Sequence, residues 1–329
     1  MLNKACNNST FKKEKTMNNL NKTKAIHKLK RDVKRDWQLY IFLLIPVIYI
    51  LIFAYGPMSG LVIAFKDYKI RKGIFGSDWV GLDYFVKFFT SYQCKRVIKN
   101  TVILSMYNIL ASFPFPIMFA LILNSMKHEK FKKVVQTIST MPHFISVVIM
   151  VGLLFQVLGS RTGLYGKIVM DLTGTYPENL FASPVAFKHI YVWSGVWQSF
   201  GWGSIVYTAA LAGVAPEYHE AAQLDGASRF QRTIYIDLPS IMPTIVIMLI
   251  LQMGKVMSLG FEKVFLLQNS LNISSSEVIS TYVYQVGLAS NSPDFSYATA
   301  IGMFNSVINL LMVTLVNKIA GKVGETTLW

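Results

Sequence analysis

The chain has 329 residues, of which 53% are hydrophobic and 15% charged, a balance too apolar for an ordinary soluble domain. Its formal net charge of +15 would suit nucleic acid, but about a third of the Lys and Arg fall in the first 36 residues beside an apolar run. The charge therefore reads as an anchor on a membrane surface, with lipid and not nucleic acid as the contact.

Residues 1–36 form the first predicted element, a basic cytoplasmic tail carrying Lys28, Lys30, Arg31, Lys34 and Arg35. The apolar run that follows, Gln38 to Ala64, is longer than the core of a signal peptide and lacks a small-residue cleavage site, so it reads as a retained helix. A helix needs about 20 mostly apolar residues to cross a bilayer. Five more runs meet that requirement: Thr101 to Met126, Thr137 to Gly159, Ile190 to Val214, Ser240 to Leu259 and Ala298 to Val316. The expected fold is all-α, a polytopic membrane protein with six transmembrane helices filling residues 37–329.

Lys and Arg concentrate on the side of a span that faces the cytoplasm. Starting from the tail, this rule places Lys127, Lys130, Lys132 and Lys133 inside, then Arg229 and Arg232, then Lys318 and Lys322. Both termini are expected in the cytoplasm of a multi-pass cell-membrane protein. Lys66, Lys69, Arg71 and Lys72 run against the rule, and span parity places them outside. The outer segments, about residues 65–100, 160–189 and 260–297, are long enough to fold as lids. Cys6 and Cys94 are expected on opposite sides of the bilayer and unpaired.

The cytoplasmic segment at about residues 215–239 is the most legible part. Pro216 suits the first turn of a helix, and Glu217 complements the positive end of its dipole. Gly226 is a plausible stop, and Ser228 with Gln231 three residues later fits a capping box that starts a second short helix. Two helices about a glycine elbow are expected. Ala221, Ala222 and Ala227 leave the backbone open to close approach, while Glu220 and Asp225 offer acceptors to a partner's basic groups.

Glu220-Ala221-Ala222, Asp225-Gly226-Ala227, Ile236, Leu238 and Pro239 together match E-A-A-x-x-D-G-A-x(8)-I-x-L-P. That pattern resembles the EAA loop of permease subunits in binding-protein-dependent ABC importers, and the likeness runs from about Trp37 to the C-terminus. Asp36-Trp37, Trp79-Val80-Gly81-Leu82, Asn100-Thr101, Tyr282-Val283-Tyr284 and Ala300-Ile301-Gly302 look like the branch that imports polysaccharides or oligosaccharides. The resemblance implies an ATPase-coupling role for Glu220, Ala221, Ala222, Asp225, Gly226, Ala227, Leu238 and Pro239. It also implies a second permease subunit, two ATPase subunits that carry the ATP and Mg, and an extracytoplasmic solute-binding protein. No enzymatic chemistry and no cofactor are expected in this chain itself.

The six predicted spans contain no Asp or Glu, which argues against a proton- or sodium-coupled carrier. On the fourth span Trp193, Trp197, Phe200, Ser204 and Tyr207 recur at helical spacing, an aromatic and hydroxyl stripe suited to sugar. Trp197, Gln198, Trp202, Tyr207, Gln252 and Asn305 are the candidate substrate-pathway residues, the amides serving sugar hydroxyls. The same residues also fit blander roles: Trp193 in an interfacial belt, the amides as links between helices, and Trp202 in a close contact permitted by Gly201 and Gly203. Lys255 is expected inside the fifth span, either snorkelling or, with the basic outer loop, attracting an acidic oligosaccharide. His27, His128, His143, His189 and His219 lack ligand spacing, so no metal site is expected. The alternatives are a permease for another solute, such as a polyamine or phosphate, and a secondary carrier or channel.

Overall fold

The computed structural model describes residues 35–323 and residue 327. Cys6, His27 and the tail lysines Lys28, Lys30 and Lys34 lie outside the described residues. The chain divides into two compact units, residues 1–61 and 62–329. The first contains helix α1, Trp37–Ile50, which continues through a π-helical turn at Leu51–Tyr55. Pro46 and Pro57 remove backbone donors around that turn, where the regular ladder gives way.

The second unit is almost wholly helical. An all-α chain was expected, but residues Lys66–Asp67 (β1) and Asp78–Trp79 (β2) form a minimal antiparallel pair in the segment that was expected to lie outside. Gly73, at φ 67°, turns the chain between them, and the Ser77 hydroxyl donates to its carbonyl at 2.7 Å. The Lys72 ammonium closes on Asp78 at 2.7 Å.

Among the described residues, three helices are long and apolar enough to cross a membrane: Trp37–Phe65, Tyr92–Asn124 and Phe295–Lys322. Two further pairs qualify if each is taken as one bent span, so six straight spans are not what is found. The second span begins at Tyr92 and not at Thr101. It consists of α2, Tyr92–Ser112, capped by the Ser91 hydroxyl, and α3, Pro114–Asn124. Its polar first turns are tolerated because protein satisfies them. Arg96 pairs with the buried Glu277, Asn100 donates to the carbonyls of Ser274 and Glu277, and the Thr101 hydroxyl accepts from the Ile279 amide.

The third span, expected as one helix from Thr137 to Gly159, is broken. Helix α4, Glu129–Thr140, leads into the 3₁₀ turn Met141–Phe144, and α5, Val147–Leu158, leaves at 99°. Pro142 ends the first helix and Ser146 caps the second by accepting from the Ile149 amide. The 28-residue helix α6, Pro184–Leu211, follows, and its Ser, Gly and Trp content keeps its hydropathy below that of the other long helices.

The fifth span also departs from its expected limits, Ser240 to Leu259. Pro239 and Pro243 break it around Ile241 with a bend of 59°, and the helical part α9 runs Met242–Met253. Lys255 therefore lies in the turn after the helix end and not within the helix. Helix α10, Phe261–Leu267, and a final 29-residue helix α11, Phe295–Val323, complete the frame.

Helix α6 is the axle of this unit and packs on α2, α3 and α4. Its contacts depend on missing side chains: a Cβ at Gly201 would sit 2.0 Å from the Ser139 carbonyl oxygen of α4, and one at Gly203 would sit 3.2 Å from the Pro116 ring. Close approach through small residues is how helices associate where lipid removes the hydrophobic drive. Leu104, Phe187, Val192, Val196 and Val264 fill the largest core around α6. Phe88, Val97, Ile279, Tyr282 and Ile301 fill a second core against α11.

Candidate functional site

Helix α7, Pro216–Leu224, and helix α8, Arg229–Arg232, meet at the expected elbow. Gly226 has φ 78°, a left-handed conformation that glycine adopts without strain. The Ala227 amide reaches the Ala222 carbonyl at 2.9 Å and the Gly226 amide reaches the Gln223 carbonyl at 3.1 Å, the double bond pattern of a Schellman C-cap. The pattern Ala-Ala-x-x-Asp-Gly-Ala thus encodes a helix stop. Beyond it the Ser228 hydroxyl accepts from the Gln231 amide, and the Gln231 side chain accepts from the Ser228 amide, as the capping-box reading expects.

After α8 the backbone widens into a π-helical turn, Thr233–Asp237, and continues through Leu238–Ser240. The wider turn adds one residue just ahead of Pro239, which cannot donate to a regular ladder. It also carries Asp237 inward to 3% exposure. The Asp237 carboxylate accepts from the Asn124 amide at 3.2 Å, and His219 Nε2 lies 3.1 Å from the same oxygen. Asn124 ends α3 and His219 sits in α7, so one buried oxygen joins three elements. Arg229 adds a contact at 3.4 Å to the Ser125 carbonyl. The hollow between these elements has a volume of about 510 Å³ and includes Lys127, His219, Glu220, Arg232 and Asp237 in its lining.

Glu220, Ala221, Asp225, Gly226 and Pro239 are exposed on this knob, whereas Ala222, Ala227 and Leu238 are half-buried. Four large apolar side chains join them at the surface: Tyr218, Leu224 (90% exposed), Phe230 and Tyr235. The motif comparison passes over all four, and so does it Asp237, which occupies a free position of the pattern. An apolar cluster in a charged, polar segment marks a protein contact. The signal in the sequence was their placement in a segment assigned to water, without the period of a core-facing helix.

Removing the Asp237 acceptor is expected to release the knob from α3. Asp237→Ala should weaken this attachment by about 1–3 kcal/mol, the cost of leaving partners unsatisfied. It is read as faster proteolysis between Val214 and Leu238 in the membrane-embedded protein. Asp237→Asn keeps an acceptor oxygen and should stay close to wild type.

The candidate pathway residues are not gathered at one place. Trp197 and Trp193 line an apolar groove between α5 and α6. The Gln198 amide donates to the Ile145 carbonyl at 2.8 Å and so satisfies the sharp bend. Trp202 stacks on the His143 ring at 4.6 Å with Phe144 at its edge, and Tyr207 is buried beside Ala120, Leu211 and Ile241. Gln252 donates to the Ser112 hydroxyl at 3.2 Å and lines a small cavity. The Asn305 amide oxygen is buried without a hydrogen-bond partner.

Long apolar helices, two bent helix pairs of span-like composition, and a capped knob between α6 and α9 are the features of an integral-membrane protein. Comparison with known proteins gives the family. Residues 112–324 match the binding-protein-dependent transport system inner membrane component, and the chain belongs to that family. It is 41% identical to Protein LplB of Bacillus subtilis over 297 residues, which are 90% of this chain and 92% of the relative. It is 42% identical to the polygalacturonan/rhamnogalacturonan transport system permease protein YteP of the same organism, over 87% of this chain and 88% of the relative. A crystal structure of a bacterial ABC transporter involved in the import of the acidic polysaccharide alginate contains a chain with 39% identity and a TM-score of 0.81. The match covers 90% of this chain and 99% of that one. A second structure, the alginate transporter in complex with an alginate pentasaccharide-bound periplasmic protein, matches equally at 0.81. The multi-pass membrane reading and the ABC importer permease fold follow from these likenesses.

Proposed function

We propose that the chain is one permease subunit of an ATP-driven importer for oligosaccharides or polysaccharide fragments. It spans the cell membrane six times with both termini in the cytoplasm and pairs with a second permease. An extracytoplasmic binding protein delivers the solute, and two ATPase subunits supply ATP, Mg and the hydrolytic chemistry, so this chain catalyses no reaction. The knob at about residues 215–239 docks the ATPase through Glu220 to Ala222, Asp225 to Ala227, Leu238 and Pro239. The single observation that carries the docking is the rigid Gly226 elbow with Tyr218, Leu224, Phe230 and Tyr235 uncovered around it. ATP-driven closure of the ATPases would move the knob and, through Asp237, the end of the second span.

The sugar assignment rests on relatives named for the transport of polygalacturonan, rhamnogalacturonan and alginate. A permease for another solute remains the second reading. The test is ATP-dependent uptake by the complete importer in proteoliposomes, with loaded binding protein and a panel of neutral and acidic oligosaccharides. At least one oligosaccharide should raise ATPase activity and accumulate inside. Uptake that proceeds without the ATPase subunits, or a complex that responds to no sugar, contradicts the assignment.

A further inference from the structure

A small cavity of about 140 Å³ lies where α2, α6 and the turn after α9 meet. Its lining includes Ser105 and Asn108 from α2, Tyr191 from α6, and Gln252, Lys255 and Ser258 from the end of the fifth span. The Ser105 side chain is 2% exposed and its hydroxyl has no hydrogen-bond partner. A buried hydroxyl left open in this way is uncommon in a folded chain. Among the described residues, the side chains of Asn108 and of the exposed Lys255 have no hydrogen bond or ion pair.

A second cation stands behind the wall. Lys263 of α10 is 8% exposed, and its ammonium donates to the Tyr191 carbonyl at 2.9 Å and lies 5.1 Å from the Tyr191 ring centroid. A methyl group at Gly195 would lie 3.3 Å from the Lys263 ammonium and 3.9 Å from the Asn108 amide oxygen, so both flank one glycine. Burial pulls the Lys263 amine down to about 8, which leaves it mostly protonated at neutral pH. No Asp or Glu lines the cavity, and no described carboxylate pairs with either lysine. One unpaired cation, an open hydroxyl and an open amide in the lining, with the Lys263 ammonium behind the wall, are the complement of an anion that can also accept hydrogen bonds. The volume is below the roughly 300 Å³ at which pockets for whole small ligands begin, so the hollow suits one substituent of a larger molecule.

We infer that this cavity is a carboxylate subsite for an acidic sugar unit, with Lys255 at its mouth as the ion-pairing residue and Ser105 and Asn108 as hydrogen-bonding residues. Lys263 is a positioning residue: it holds the Tyr191 backbone and keeps the wall positive. The subsite rests on the proposed role in oligosaccharide import, and it places sugar discrimination in this chain as well as in the binding protein.

The experiment uses the complete importer in proteoliposomes with trigalacturonate and its carboxyl-reduced counterpart as probes. The ratio of ATPase stimulation by the acidic probe to that by the reduced probe is measured for wild type, Lys255→Met and Lys255→Arg. Wild type should favour trigalacturonate. Lys255→Met should lower the ratio about tenfold, the scale of a lost charge-assisted contact, and Lys255→Arg should restore much of it. An unchanged ratio in Lys255→Met overturns the subsite while leaving sugar import intact, as does a wild type stimulated by the reduced probe alone. A wild type stimulated by neither probe overturns the subsite, and the wider oligosaccharide panel then decides whether the import reading falls with it.

Discussion

Gly226→Val is expected to abolish ATP-driven uptake and ligand-stimulated ATPase activity together, in a protein that still inserts into the membrane. The argument is one of backbone conformation. Gly226 holds φ 78° at the C-cap of α7, and a Cβ there would meet nothing within 4 Å, so crowding is not the obstacle. An L-residue in the left-handed region costs about 1–2 kcal/mol, and a β-branched one costs more. The chain relieves that strain by unwinding the elbow, which swings Glu220 and Asp225 away from the surface they share. A fall of tenfold or more, about 1.4 kcal/mol, is the expected scale in uptake. Gly226→Asn provides the control, since asparagine tolerates this conformation and should retain most activity. Normal uptake by the valine variant would falsify the coupling role of the elbow.

Gly201→Leu is expected to have the larger effect on stability. Even the first carbon of a side chain at this position would lie 2.0 Å from the Ser139 carbonyl oxygen and 2.4 Å from its carbon, both of them backbone atoms. Backbone cannot rotate out of the way, so α4 must separate from α6 and the packing of Trp202 on His143 goes with it. Overpacking of this kind costs about 3 kcal/mol. It should appear as a lower Tm and as aggregation on gel filtration in detergent. Gly302, in α11, has no heavy atom within 4 Å of its missing Cβ, and Gly302→Ala should be neutral or slightly stabilising. Equal melting of the two variants would sink the close-crossing account.

The knob was legible in the sequence because its physics is local. A proline at the first turn, a glycine at the stop and a serine three residues before a glutamine each act within one helical turn, and the backbone follows them closely. The spans were legible only in approximate position: six runs were expected, while the described residues hold three candidate helices, or five with the two bent pairs, since hydropathy cannot see bends or hydrogen bonds made by distant residues. The second span was read as starting at Thr101, yet Glu277, Ser274 and Ile279 satisfy the polar turns ahead of it from far along the chain, and the helix starts at Tyr92. Similarly, Thr137 to Gly159 and Ser240 to Leu259 have the composition of single spans, and the bends beside Pro142, Pro239 and Pro243 do not show in their hydropathy. The pathway residues were least legible of all. Trp202 and Gln198 were read either as sugar contacts or as packing and linking residues, and their partners, His143 and the Ile145 carbonyl, come from a bend that no periodicity reveals. Lys263 was missed because a lysine in a segment assigned to the outside gives no hint that it will be buried.

The Arg96, Asn100 and Thr101 contacts have a mechanical meaning for the end of the second span at which they lie. The segment around Ser274 to Ile279 is not a free lid hinged at its ends, because two successive turns of α2 grip it through an ion pair and hydrogen bonds to and from its backbone. Rim and helix must therefore turn as one piece. If the knob moves as proposed, the pull at Asn124, where Asp237 is attached, enters the other end of the same span and must pass the Phe113–Pro114 junction to reach this grip.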